Sequence, residues 1–170
     1  MKAARSRQPK TSTVAGARQW FDLHPIETTM SYQRNNSTAP ASRTIIQITS
    51  PGEPQVQARL RFAQRGFFDP QKEFKKEFRL RIKSDLQSHG ITQFPIFDPT
   101  TNLRVTVKFH VFRNTKDIDN LLKLILDVLN GVVYGNDAAV TMVVAQKLRA
   151  DSNRSDHAFT DLIVDEHRIN

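Results

Sequence analysis

Three aspartates and one lysine in the second half of the chain have the types and spacing that metal-assisted chemistry needs. Asp117 and Asp119 stand two residues apart just before a leucine-rich run, Lys123 lies within that run, and Asp137 follows a turn. Carboxylates that converge on one point repel each other unless a cation joins them. Mg²⁺ suits such a site, because it is hard and typically binds one or two carboxylates together with water and phosphate. Lys123 would then contact the reacting phosphate or orient the attacking water.

The leucine-rich run predicts a helix from about Asp119 to Asn130 that is buried over most of its circumference. Gly131 directly after the run is the expected C-terminal stop. On a helical wheel the apolar residues cover most of the surface, and the polar ones share a narrow seam: Asp119, Asn120, Lys123, Asp127 and Asn130. An unpaired charge in a core costs several kcal/mol, so this seam must face water, a charged partner or an ion.

A purely structural interpretation competes with the catalytic one. An aspartate before a helix is a good N-cap and interacts favourably with the helix dipole. Asp119, Lys123 and Asp127 would also form i, i+4 pairs on a solvated face. Asn136 and Asp137 are most simply read as a turn. Taken alone, the spacing of these residues favours capping over catalysis.

The remaining pattern predicts the frame that positions these residues. Apolar residues at i+4 steps predict a basic-faced amphipathic helix between Pro70 and Gly90: Phe74, Phe78, Ile82 and Leu86. Period-two alternation and turn signals predict four strands: 44–50, 103–113, 139–148 and 158–166. The fold class is therefore α/β (α+β), a single two-layer domain with a small mixed sheet of four to five strands packed by two to three helices.

The first 43 residues differ in composition from the rest of the chain. They carry few apolar residues and seven basic residues against two acidic ones. Such a segment cannot bury enough surface to offset the entropy of ordering, which predicts a mostly disordered extension over residues 1–43 and a folded domain over residues 44–170. The extension is compatible with an organelle transit peptide or with a basic tail that adds DNA affinity.

The composition also restricts the class of partner and site. A net charge of +8 favours a polyanionic partner. The absence of cysteine excludes disulfides and thiolate chemistry, and the five histidines are too scattered for a helical metal site. No apolar run is long enough to predict a membrane span, and no small-molecule cofactor is predicted. The candidates for phosphate contact are basic residues before and on the first helix: Arg59, Arg61, Lys75, Lys76 and Arg79.

The segment DIDNLLKLILDVLNGVVYGNDAAV, residues 117–140, resembles the signature of the RusA-type Holliday junction resolvases. That family places D-x-D-N-x-x-K-x-x-x-D-x-L ahead of a tight acidic turn. Upstream, GEPQVQARLRF and FFDPQKEFKKEF are similar to the family's arginine-bearing loop and the helix after it. The resemblance spans residues 44–165.

This resemblance implies functional roles for named residues. Asp117, Asp119 and Asp137 would be catalytic carboxylates that bind Mg²⁺, with Mn²⁺ as a substitute, and Lys123 would be the essential basic residue. Asn120 would support the metal ligands. The resemblance further implies a homodimer that nicks two opposed strands of a four-way DNA junction. One departure is visible, since the family usually has an acid where this chain has Asn136.

Three hypotheses of function follow. The preferred one is a Mg²⁺-dependent endodeoxyribonuclease that resolves Holliday junctions in DNA recombination and repair. The alternative, motivated by Asn136, is a junction-binding or DNA-binding protein of the same fold that does not cleave. A third is a basic protein with RNA or ribosomal association, whose polar seam is only a solvated surface.

Overall fold

Over the described residues, the fold is a five-stranded mixed sheet packed by two long amphipathic helices. A computed structural model describes residues 18–19, 22–23, 25–34, 42–58, 61–63, 66–113, 115–150 and 157–167. The strands are β1 (Glu27–Arg34), β2 (Ser42–Pro51), β3 (Arg61–Ala63), β4 (Gly66–Phe68), β5 (Leu103–Val111), β6 (Val140–Arg149) and β7 (Phe159–Glu166). The helices are α1 (Lys72–Ser88) and α2 (Ile118–Leu129).

The order of strands in the main sheet is β1-β2-β7-β5-β6, and β3 and β4 form a separate hairpin. All neighbours in the main sheet are antiparallel except β5 and β6, which are parallel. Parallel neighbours require a crossover, and α2 provides it. The first turn of α2 therefore follows the carboxyl end of β5, while its last turn leads back to the start of β6.

Both helices bury their apolar stripes against one face of the sheet. The stripe of α1 consists of Phe74, Phe78, Ile82 and Leu86, and each is at most 5% exposed. Alternate residues of β5 face this layer and are buried from end to end: Leu103, Val105, Val107, Phe109 and Val111. The predicted two-layer α+β class is thus confirmed, and the period of apolar residues located α1, α2 and β5 correctly.

The end of α2 also follows the prediction. Gly131 has a φ of +79°, a left-handed conformation that glycine adopts without the steric cost borne by other residues. Among the described residues, no helix is long and apolar enough to cross a membrane.

One segment of the N-terminal extension is ordered. Residues 27–34 form β1, which pairs with β2 over its whole length, from Glu27 opposite Thr49 to Arg34 opposite Ser42. Composition did not indicate this strand, because pairing at a sheet edge uses backbone groups. Most of the remaining extension lies outside the described residues, and its disorder stays a prediction.

Candidate active site

Asp117 and Asp119 lie together at the first turn of α2, and both are exposed. Asp117 occupies the N-cap position with extended backbone angles, yet its side chain makes no capping hydrogen bond. The carboxylate is therefore not used for the capping hydrogen bond that the structural interpretation assigned to it. Both carboxylates face solvent at the positive end of a helix dipole, where negative charge is stabilised.

Lys123 lies one turn further along α2 and is also exposed. The predicted ladder of i, i+4 ion pairs along the seam is not formed, since the carboxylate of Asp127 pairs with Lys75 instead. With the residues that the structure describes, neither Asp119 nor Lys123 makes an ion pair. This half of the seam thus presents the Asp119 carboxylate and the Lys123 ammonium to solvent, beside the exposed Asp117 carboxylate.

The loop over residues 51–58 fixes the start of α2. The Gln57 N–H donates to the carbonyl oxygen of Asn120 at 2.8 Å. The Lys116 ammonium donates to the Pro54 carbonyl and lies 3.3 Å from a carboxylate oxygen of Glu53. Burial lowers the pKa of Lys116, although the charge and hydrogen bond of Glu53 oppose the shift. The residue just before Asp117 is therefore anchored to this loop.

A buried glutamine holds the other side of this loop. The Gln71 side chain is 8% exposed, donates to the Val56 carbonyl at 2.7 Å and accepts from the Ala58 N–H at 2.5 Å. Glu53 is similarly buried and accepts from the Phe112 N–H at 2.8 Å. Sequence reasoning missed both residues, because a polar residue in an irregular loop carries no periodic signal.

Asp137 lies at the opposite end of α2. It begins a short 3₁₀ turn, Asp137–Ala139, directly before β6. The Asn130 amide donates to its carboxylate at 3.0 Å, and Asn130 is the residue that ends α2. At a rise of 1.5 Å per residue, Asp119 and Asn130 are about 17 Å apart along the helix axis. Within one chain, α2 thus keeps Asp137 away from Asp117 and Asp119.

Asn136, where the resemblance expects an acid, has a local structural role. Its side-chain oxygen accepts from the Ala138 N–H at 3.0 Å and caps the 3₁₀ turn. Asparagine and aspartate cap helices about equally well. The departure at this position is therefore compatible with the same turn geometry.

The comparison with protein families decides which family the chain represents. The family model described as Endodeoxyribonuclease RusA matches residues 51–156, which is more than half of the chain and includes the whole of α1 and α2. The chain belongs to the RusA endodeoxyribonuclease family. A search of curated proteins found no match.

Membership of the RusA family implies a nuclease and, in general, the use of a divalent metal. Asp117 and Asp119 fit that implication, since they offer oxygen ligands, face solvent and pair with no described cation. Across the described residues, however, no group of three or more acidic or histidine side chains is arranged to hold a metal ion. Mg²⁺ ordinarily binds one or two carboxylates and completes its ligand set with water and phosphate, so two carboxylates are a sufficient number for such an ion.

The second half of the seam in this RusA-family chain is an ion-pair network, not an open surface. The Lys75 ammonium, in a residue only 6% exposed, lies 2.8 Å from Asp69 and 2.7 Å from Asp127. Arg79 donates to the Asp127 and Val128 carbonyls in the last turn of α2. These contacts tie α1 to α2 across the helix interface.

The network bears on two of the five predicted phosphate contacts. The Lys75 ammonium is buried between two carboxylates, which disfavours a contact with DNA. Arg79 donates to neutral backbone carbonyls and stays a candidate. Lys76 is exposed on α1 and stays a candidate. Arg61 lies in β3, where only its backbone is described, and Arg59 lies outside the described residues.

Tyr134 makes a hydrogen bond to the C-terminal part of α2. Its buried hydroxyl donates to the Leu126 carbonyl at 3.1 Å. Burial raises the pKa of Tyr134, and the negative charges of Asp137 and Asp127 raise it further. The phenol therefore keeps its proton, and its hydrogen bond to Leu126, at an alkaline pH where an ordinary tyrosine ionises.

The Asp69 carboxylate predicts a pH-dependent contribution to stability. Burial acts to raise its pKa, but hydrogen bonds from Lys75 and the Gln71 N–H, together with the Lys75 charge, hold the pKa below its ordinary value. A carboxyl group with a lower pKa in the folded state stabilises the fold above about pH 4, and this stabilisation is lost as the pH falls through the folded-state value.

Asp69→Asn should therefore lower the free energy of unfolding more at pH 6 than at pH 3.5, as measured by urea titration. The reason is that the wild-type protein loses the same ionic contribution on acidification. A deficit of equal size at both pH values would contradict this assignment.

Proposed function

We propose that the protein is a Mg²⁺-dependent, structure-selective endodeoxyribonuclease that resolves Holliday junctions by paired symmetric nicks in DNA recombination and repair. One observation carries the proposal: Asp117 and Asp119 are exposed and take part in neither capping nor described ion pairs, in a chain of the RusA family. A carboxylate that capped the helix would accept a hydrogen bond from a backbone N–H of its first turn.

Each residue of the site has a part in the proposed chemistry. Asp117 and Asp119 hold Mg²⁺, and Asn120 supports them; the ion supplies Lewis-acid stabilisation of the phosphoryl oxygens. Lys123, one helical turn from Asp119, stabilises the negative charge that develops on the phosphate. The water oxygen bonds to phosphorus and the bond to the 3′-oxygen breaks, which leaves a 5′-phosphate and a 3′-hydroxyl.

We further propose a homodimer in which two chains share each site. A two-fold axis across the middle of α2 would place the first turn of one α2 beside the last turn of the other. Each site would then combine Asp117 and Asp119 of one subunit with Asp137 of the partner subunit. The separation of these residues by the length of α2 within one chain supports this arrangement. An enzyme with two-fold symmetry also matches the symmetry of a junction whose opposed strands are equivalent.

Strand β6 offers a surface for such an association. It is an edge of the sheet, pairs with β5 among the described strands, and carries apolar side chains that are 39% exposed: Met142, Val143 and Leu148. Exposed apolar groups on an edge strand promote aggregation of a monomer, and a subunit interface that covers them removes them from water.

A cleavage assay tests the proposed function. The purified protein is incubated with a synthetic four-way junction, and with linear duplex of the same sequence, with Mg²⁺ or with EDTA. We expect paired nicks at symmetric positions in the junction alone, and none in EDTA. Binding without nicks at every metal concentration would instead favour the non-cleaving DNA-binding protein, for which the amide at Asn136 is the supporting observation.

A further inference from the structure

A basic pocket opens at the carboxyl ends of the parallel strands β5 and β6. Its volume is about 430 Å³, and it is lined by Phe112, Arg113, Thr115, Lys147 and Arg149. This volume lies in the range of pockets that bind small ligands or parts of larger ones. None of these residues was among the phosphate contacts predicted from sequence.

The sheet itself places the arginines together. Val111 pairs with Arg149 at the last position of the parallel ladder, and Arg113 follows two residues after Val111. The Ala150 N–H donates to the Val111 carbonyl at 3.0 Å and extends the pairing by one bond. The pocket is thus located beyond the carboxyl ends of the parallel pair of the main sheet.

The lining of the pocket carries three cations and no described acidic side chain. Arg113 and Arg149 are exposed, and neither pairs with a carboxylate that the structure describes. The Arg113 guanidinium lies 5.6 Å from the centre of the Phe112 ring, which supports it by a cation–π contact. Guanidinium groups bind phosphate oxygens in a bidentate manner, so the pocket suits a phosphate group.

The pocket is connected directly to the candidate active site. The Lys147 ammonium donates to the Lys116 carbonyl at 2.6 Å, and Lys116 is the residue before Asp117. The third cation of the pocket is thus hydrogen-bonded to the peptide that leads into the first catalytic aspartate. An extended strand with its reacting phosphate at Asp117 and Asp119 would carry a neighbouring phosphate past this pocket.

We propose that this pocket binds a backbone phosphate of the cleaved DNA strand, adjacent to the scissile phosphodiester. The inference rests on the proposed function, since it takes DNA as the substrate. The pocket would fix the register of the strand relative to Asp117 and Asp119, because phosphate contacts position a nucleic acid without reading its sequence.

The first test measures junction binding in EDTA, where cleavage cannot interfere. Arg113→Gln/Arg149→Gln should weaken binding about tenfold near 0.1 M salt and should reduce the slope of log affinity against log salt by about two. Lys83→Gln/Lys108→Gln is the matched control, because it removes the same charge at positions outside the pocket. An equal loss in this control would show a general charge effect and would overturn the proposal.

The second test locates the contact on the DNA and begins with the wild-type protein. Single phosphates around the cleavage site are replaced one at a time by neutral methylphosphonates. We expect one adjacent position to weaken binding to the wild type and to have no further effect in Arg113→Gln/Arg149→Gln. If that variant loses its fold, Arg113→Lys/Arg149→Lys serves in its place, and the methylphosphonate effect should then be reduced. Equal sensitivity of variant and wild type at every position would contradict the proposal.

A free phosphate ion offers the pocket the same oxygen atoms as a phosphate group of DNA. Titration of inorganic phosphate into the DNA-free protein separates the two sources. Saturation at micromolar phosphate, lost in Arg113→Gln/Arg149→Gln, would assign the pocket to a free anion and overturn a DNA contact. Failure of the proposed function would give a different result. A wild-type protein that binds junctions without nicking them would refute the nuclease activity, while the methylphosphonate test would still show whether the pocket binds a DNA phosphate.

Discussion

Mixing two inactive variants, Asp119→Asn and Asp137→Asn, is expected to restore cleavage of four-way junctions. Each substitution replaces a carboxylate by an amide of the same size and should reduce cleavage about 10³-fold, as the loss of a principal electrostatic group does. Binding to the junction should persist in both. Restoration is expected because Asp119 and Asp137 lie at opposite ends of α2, and Asn130 holds Asp137 at the far end.

The number of nicks per junction distinguishes sites shared between two chains from sites built within one chain. In a shared-site heterodimer, one site loses both Asp119 and Asp137, while the other keeps every carboxylate. The mixture should therefore produce single nicks in place of paired ones. If each site were built from one chain, both sites of the heterodimer would be damaged, and no nicking would return.

A second mixture serves as the matched negative control. Asp119→Asn combined with Asp117→Asn should stay inactive, because both residues belong to the same turn of α2 and every site in the heterodimer is then damaged. Subunit exchange is verified by energy transfer between labelled chains. A monomeric mass in light scattering at micromolar concentration, or an inactive Asp119→Asn and Asp137→Asn mixture despite exchange, would refute the shared site.

Lys75→Met is expected to lower the free energy of unfolding by about 3 kcal/mol in urea titration. The lysine is 6% exposed and neutralises two carboxylates, those of Asp69 and Asp127. Its removal leaves both charges without their partner in a partly dry interface, which is costly for ion pairs of this kind. We expect the lost stability to come from a weaker contact between α1 and α2.

Lys76→Met provides the matched control, since it makes the same chemical change at the next residue on the exposed side of α1. We expect it to change the free energy of unfolding by no more than about 0.5 kcal/mol. Lys75→Met/Asp127→Asn should recover part of the lost stability, because one of the orphaned charges is also removed. If Lys75→Met were as stable as Lys76→Met and weakened DNA binding, Lys75 would return to the set of phosphate contacts.

The local elements of this protein were readable from its sequence, because burial of one face imposes a period that short-range patterns record. Phe74, Phe78, Ile82 and Leu86 predicted α1, and the alternation of apolar residues predicted β5. Gly131 predicted where α2 ends. The same reasoning located Asp117, Asp119 and Lys123 at the first turns of α2, where the structure leaves them exposed.

The tertiary structure alone decided which polar residues pair. Lys75 and Asp127 are 52 residues apart and meet through the contact of α1 with α2. A lysine one position from an apolar stripe looks like surface until the opposing helix is known. Gln71 and Glu53 are similar, since their partners lie in distant segments of the chain.

The position of Asp137 shows most clearly what the sequence predicts and what only the tertiary structure decides. Its presence in the motif was visible in the sequence, and its distance from Asp117 and Asp119 was not. That distance depends on α2 serving as the crossover between parallel strands, which places the first turn of the helix beyond the carboxyl end of β5 and its last turn near the start of β6. Sequence determined which carboxylates the chain carries, and the parallel pairing of β5 and β6 decided that one chain keeps them apart.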